Sequence, residues 1–149
     1  MEIDRDAPAV GSSEIEIAAG PDVVWDVLAD VERWPDWNSD VKSVSVSEPL
    51  APGVEFTWKS GPATITSTVQ SADRPEMLTW TGRATGTRAI HTWRFEDQGG
   101  TTSVRTEESM DGWLVRLMRG RVQKVLQAGL DDSVANLKAE AERRARAQR

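Results

Sequence analysis

The feature that most constrains this chain is a change of hydrophobic period. Between Val41 and about Met110, apolar residues recur at every second position within six short segments. They are VKSVSVSE with Val44 and Val46, GVEFTWKSG with Val54, Phe56 and Trp58, ATITSTVQS with Ile65 and Val69, MLTWTGRA with Leu78 and Trp80, TRAIHTWRFED with His91, Trp93 and Phe95, and TTSVRTEESM with Val104 and Thr106. Turn residues separate them at Ala51-Pro52-Gly53, Ser60-Gly61-Pro62, Asp73-Arg74-Pro75, Gly86 and Gly99-Gly100. A period of two interrupted by tight turns predicts an antiparallel meander with one wet face. From about Asp111 to Arg146 the spacing becomes helical, and Leu114, Leu117, Met118, Val122, Val125, Gly129, Val134, Leu137 and Ala141 form one stripe. Asp111 is the expected N-cap of this helix. Such a helix is on the order of 50 Å long, longer than the sheet it has to cover, so its last turns are expected to project or fray.

Ahead of the meander, SSEIEIAA (12–19) alternates as a first strand, and Gly20-Pro21-Asp22 ends it and opens a helix. Val24, Val27, Leu28 and Val31 give that helix one buried face, and Pro35 interrupts it. A short second helix or turn follows through Trp37 to Asp40. The bend VERWPDWNSD therefore holds two indoles, Trp34 and Trp37, which either plug the end of a core or line the mouth of a cavity. The expected organisation is a flexible N-terminus (1–11), a single domain (12–142) and a basic tail (143–149).

Composition excludes several chemistries. The chain has no cysteine and one histidine, His91, so disulfides, thiolate sites and histidine-rich metal clusters are out. No metal and no cofactor are expected. No apolar run approaches the roughly 20 residues of a membrane span. The acidic start MEIDRDAPAV lacks the apolar core of a secretory signal, and a soluble, cytoplasmic chain is the expectation. Residues 113–149 carry nine Lys/Arg against four Asp/Glu, whereas residues 1–112 carry nine against twenty. A basic segment can attract nucleic acid or acidic lipid. The acidic remainder repels a polyanion, so a solvated helix face is expected and no nucleic-acid partner.

The order of elements, with SEIEIAAGPDVVWDVLADVERWPDWNSDVKSV and AIHTWRFEDQGGTTSV, resembles the START/Bet v 1-like (SRPBCC, helix-grip) superfamily, and within it the polyketide cyclase/dehydrase-like group. The resemblance implies an α+β fold: a curved seven-stranded antiparallel sheet wrapped around a long C-terminal helix, with two short helices after the first strand. It implies an apolar pocket between sheet and helix for lipids, polyketides or other hydrophobic molecules. It also implies three functional classes: a binder of a small hydrophobic molecule, a cyclase or dehydratase, and a co-chaperone-like interaction module. Single-domain aromatase/cyclases of the superfamily place an arginine and polar residues in the pocket, whereas the matching strand here, ATITSTVQS, offers only hydroxyls and Gln70.

Strand parity names the lining independently. Trp34, Trp37, Phe56, Trp58, Ile65, Trp80, His91, Trp93 and Thr106 from the bend and sheet, with Leu117, Met118 and Val122 from the helix, are the candidate ligand contacts. His91 shares the inward parity of Trp93 and Phe95 and is the one candidate acid/base. A tight turn at Gln98-Gly99 would set Trp93 opposite Val104 and His91 opposite Thr106, with Glu108 two residues further along. The expected partner is a small hydrophobic molecule, and the chain a monomer or homodimer.

Overall fold

A computed structural model describes residues 1–149. Strand β1 (Ala9–Ile17) leads into α1 (Pro21–Ala29), a single 3-10 turn (Val31–Arg33) and α2 (Trp34–Trp37). The meander follows as β2 (Val41–Val46), β3 (Glu55–Ser60), β4 (Ala63–Asp73), β5 (Met77–Ala84), β6 (Thr87–Asp97) and β7 (Thr102–Asp111). Two helices, α3 (Trp113–Leu117) and α4 (Arg119–Ala147), complete the chain. The strands form one antiparallel sheet in the order β1-β7-β6-β5-β4-β3-β2. Register irregularities between Val41 and Ser43 and between Val69 and Ser71 interrupt β2 and β4, and such bulges bend a strand and raise its twist. The sheet and the two short helices are those expected from the sequence.

Apolar alternation builds the core where it was read. Phe56, Val69, Leu78, Trp80, Trp93, Phe95 and Val104 are buried on the inner face, against Val24, Val27, Leu28 and Val31 from the α1 region. Val134, Leu137 and Ala141 of α4 close that half of the groove.

The C-terminal region departs from the expected single helix. Asp111 is the last residue of β7, and its carboxylate accepts from the Gly112 N–H at 2.7 Å and from Arg116 at 2.9 Å. The chain then turns through Gly112 and breaks again at Met118, which has φ −123° and ψ 40°. Val115 is the buried residue of α3, and within α4 the buried face recurs from Leu126 at steps of four, four, three and four. Val115, Leu126, Leu130, Val134, Leu137 and Ala141 therefore form the buried stripe, while Leu117 and Val125 are 74% and 64% exposed. Helix α4 does not fray early. It stays regular to Ala147, Ala145 packs on the core, and Glu140 pairs with Arg143 and Arg144.

The N-terminus is also more ordered than expected. Strand β1 begins at Ala9, three residues before the visible alternation, because Ala9 and Gly11 meet α4 rather than carrying large side chains. A Cβ on Gly11 would stand 3.0 Å from Leu130 Cδ1. Upstream, Ile3 is buried, the Asp4 N–H donates to Ser109 Oγ at 3.0 Å, and Arg5 grips Glu107. This strap lies on the outer-facing residues of β7.

As a sheet edge, β1 has backbone groups free of strand partners, and α4 satisfies them. The Gln123 side chain accepts from the Val10 N–H at 3.0 Å and donates to the Val10 carbonyl at 2.7 Å. Gln127, one turn later, does the same for Ser12. The pair of glutamines four apart thus fixes the helix on the sheet.

Gly112 is the residue this arrangement can least replace. Its φ is 121°, and a Cβ there would collide with the Gly86 carbonyl oxygen. Gly112→Ala is expected to cost about 2 kcal/mol or more. A fall in the urea midpoint with unchanged slope would show it, and an unchanged midpoint would contradict this account of the β7–α3 corner.

Candidate functional site: a two-lobed cavity beneath the long helix

The half of the groove nearest α2 is not filled. A lobe of about 230 Å³ is lined by 18 residues, among them Trp34, Trp37, Trp58, Trp80 and Trp93, with Leu126, Gly129 and Leu130 of α4 facing them. A second lobe of about 160 Å³ runs along the sheet past Ile65, Ser67 and Gly82. Trp58, Trp80, His91, Glu108 and Met110 line both lobes, so these side chains form the junction. A larger depression of about 660 Å³ lies around Asp73, Glu76 and Arg94. Its walls are mostly charged, and Arg94 and Arg105 already pair with Glu2 and Glu14. The apolar cavity is the better site for a small molecule.

Sequence creates this space in two ways. Indoles cannot interdigitate as closely as aliphatic side chains. Trp34 packs edge-on against Phe56 and Trp58, with centroids 5.5 and 5.4 Å away, and tilted against Trp80 at 5.5 Å. Opposite them, Gly129 leaves open space where any other residue would place a Cβ. The helix-propensity cost of glycine, about 1 kcal/mol, is thereby linked to cavity volume.

The two indoles of the bend divide their roles. Trp34 is 4% exposed and donates to the Leu28 carbonyl at 2.9 Å, so it staples the bend to the core while one edge faces the lobe. Trp37 is half-buried on the cavity wall. Its indole N–H, like that of Trp93, is buried and has no hydrogen-bond partner.

The polar junction differs from the expected register. Phe95 pairs with Val104, Trp93 with Thr106, and His91 with Glu108. The cause is turn size. Asp97 pairs with Thr102, so Gln98–Thr101 form a four-residue loop with Gly99 and Gly100 both at positive φ, rather than a two-residue turn. Inward parity survives a shift of two residues, but the partner changes.

Three inward side chains consequently run across the sheet as Trp80, His91 and Glu108. His91 Nε2 lies 2.7 Å from Thr106 Oγ1, and that hydroxyl lies 3.2 Å from the Thr92 carbonyl oxygen. A hydroxyl has one proton. If Thr106 donates to Thr92, it accepts from His91 Nε2–H, which leaves Nδ1 as an acceptor facing Glu108 Oε1 at 3.5 Å. Burial among indoles lowers the His91 pKa to about 3 and raises the Glu108 carboxyl to about 8. At neutral pH the junction thus presents an uncharged imidazole and a protonated carboxyl group.

The expected contacts sort clearly. Trp34, Trp37, Trp58, Ile65, Trp80, His91 and Trp93 line the cavity. Phe56 lies behind Trp34 in the core, and Thr106 is fully buried behind His91. Leu117 and Met118 face solvent, and Val122 joins the small cluster of Ala9, Val115, Leu126 and Leu130. The expected stripe ran unbroken through Met118 and stepped five residues from Gly129 to Val134, off the face that α4 buries. Glu108, Met110, Leu126, Leu130 and Ser133 were not among the expected contacts. Inward parity pointed to Glu108 and Met110, and steps of four counted back from Val134 would have pointed to Leu130 and Leu126.

Against known proteins, the family described as "Polyketide cyclase / dehydrase and lipid transport" matches residues 9–142. The chain belongs to this family. No curated protein matches it. Among solved structures, a protein from Helicobacter pylori superposes with a TM-score of 0.81 at 16% identity, covering 92% of this chain and 90% of that one. The Zhui aromatase/cyclase from Streptomyces sp. R1128 gives 0.75 at 20% identity, covering 91% and 94%. A START superfamily protein from Mycobacterium smegmatis gives 0.70 at 16% identity, covering 94% and 99%. At these identities the likeness is one of fold. The inner polar groups lining the two lobes include His91, Glu108, Ser67 and Asn38. Arg83 is exposed at the rim of the smaller lobe.

Proposed function

We propose that this family member binds one uncharged, ring-bearing hydrophobic molecule in the cavity, as a cytoplasmic monomer or homodimer without metal or cofactor. The observation that carries the reading is a cavity walled by five indoles whose only buried titratable groups, His91 and Glu108, are held neutral. Such a wall favours aromatic or polycyclic surface. The neutral junction favours a hydroxyl or carbonyl over a carboxylate, because a ligand anion would meet no buried cation. Lobes of about 230 and 160 Å³ together fit a molecule at the small end of the usual ligand range. Burying roughly 300 Å² of apolar ligand surface gives about 7 kcal/mol gross, and association costs bring the affinity to micromolar or weaker. Native mass spectrometry of the purified chain should show a co-purified species. A multi-ring phenol should also change the tryptophan emission saturably, with one site per chain. The absence of both a bound species and a saturable change would refute the reading.

A second reading, an acid/base enzyme of the cyclase or dehydratase type, is favoured by the proximity of His91 Nδ1 and Glu108. A carboxyl group with a pKa near 8 can give its proton to a leaving hydroxyl, while a neutral imidazole takes one from carbon or oxygen. With a polyketide-like substrate, His91→Asn should abolish turnover while ligand-induced emission changes persist. Equal turnover in the variant would remove His91 from the chemistry, and no turnover by the parent would leave binding alone.

A further inference from the structure

The segment from α3 into the first turns of α4 exposes four large apolar side chains. Trp113 is 64% exposed, Leu117 74%, Met118 39% and Val125 64%, and these four are the exposed large hydrophobic side chains other than Met1. They lie within thirteen residues, WLVRLMRGRVQKV (113–125), that also contain Arg116, Arg119, Arg121 and Lys124 and no acidic residue. Arg116 is held by Asp111, whereas Arg119, Arg121 and Lys124 have no carboxylate within 4.0 Å. The rest of the chain carries fourteen Lys/Arg against twenty-four Asp/Glu.

We infer that this face docks on an anionic lipid bilayer, with Trp113, Leu117 and Met118 entering the interface and the three free cations meeting lipid headgroups. An exposed apolar strip flanked by like cations is the surface that interfacial segments use. A second copy of the chain fits less well. Self-association would bring two cationic patches together, and four exposed side chains fall short of the ~800 Å² per partner of a stable interface. The strongly acidic remainder is repelled by the same bilayer and so orients the molecule. Val125 gives the docking a consequence, because it is exposed and also lines the larger lobe. It stands at the cavity rim, one turn before Gly129, so docking on this side brings the rim to the lipid. Asp40 also lines this lobe and is exposed, and its charge disfavours contact with anionic lipid there.

The test is co-sedimentation of the full chain with phosphatidylcholine vesicles, and with vesicles of three parts phosphatidylcholine to one part phosphatidylglycerol. Binding is expected to the mixed vesicles only, with a blue shift of the Trp113 contribution that is missing in Trp113→Ser. Arg119→Glu with Arg121→Glu and Lys124→Glu should lower partitioning on the order of a hundredfold or more. Leu117→Ser with Met118→Ser should also lower it, and all these variants should melt with the parent, since every replaced side chain is exposed. No binding to mixed vesicles, equal binding to both kinds, or indifference to these substitutions would overturn the proposal. So would a concentration-dependent dimer in the absence of vesicles that Leu117→Ser dissociates, since the patch would then be an interface between copies.

Discussion

Trp34→Ala is expected to lower the stability of the domain by about 3–5 kcal/mol and its melting temperature by about 10 °C. Trp34 packs on Phe56, Trp58 and Trp80 and ties α2 to the end of α1 through the Leu28 carbonyl. Truncation removes the packing of three rings and leaves the Leu28 carbonyl without that donor. Domains of this size have about 5–15 kcal/mol in total, so the loss is a large share. Trp37→Ala is the matched comparison. Trp37 is half-buried and its N–H bonds to nothing, so its cost should be about 1 kcal/mol. Equal costs at the two positions, measured by denaturant unfolding, would contradict the division of roles between the two indoles.

The second large effect is a pH dependence set by Glu108. Its pKa is raised in the folded chain to about 8 from an ordinary 4.5. A carboxyl group of this kind imposes no penalty below pH 4.5, where it is protonated in both states. As pH rises from 4.5 to 8, the unfolded state releases the proton and the folded state holds it, so stability falls and then levels off. At pH 7 the loss is about 3 kcal/mol. His91 acts at the other end. Its pKa is lowered to about 3 from 6.5, so stability falls as pH drops from 6.5 towards 3, where the unfolded imidazole takes up a proton first. Glu108→Gln keeps the size and a donor but removes the ionisation. It should be more stable than the parent at pH 7–8, by several degrees in melting temperature, and show no such gain at pH 4. Parallel pH profiles for parent and variant would show that the Glu108 carboxyl is not held neutral.

How much of this was legible in the sequence depended on the kind of geometry involved. Inward parity was legible throughout the meander, because side chains alternate in every strand whatever its partner. That is why Trp58, Trp80, His91 and Trp93 stand where alternation placed them. Pairing was less legible. It depends on loop size, and the Gly99-Gly100 loop shifted His91 from Thr106 to Glu108. The phase of the last helix was lost to one wrong step. The expected stripe stepped five residues from Gly129 to Val134, whereas α4 buries Leu126, Leu130 and Val134 at steps of four and leaves Val125 outward. The contacts of Gln123 and Gln127 with the edge strand leave no hydrophobic pattern, although two glutamines one turn apart are a usable sign. The strap formed by Ile3, Asp4 and Arg5 was hidden because a single buried isoleucine creates no period.

The central claim, a ligand cavity between the indole wall and Gly129, can be tested by filling it. Gly129 faces open space, so Gly129→Phe should place its ring in the larger lobe without displacing backbone. Titration of parent and variant with the same multi-ring phenol, followed by tryptophan emission, reads the outcome directly. The account predicts one saturable site per chain in the parent, no detectable site in Gly129→Phe, and a variant that melts at or above the parent temperature. Undiminished binding by a folded Gly129→Phe chain would contradict it.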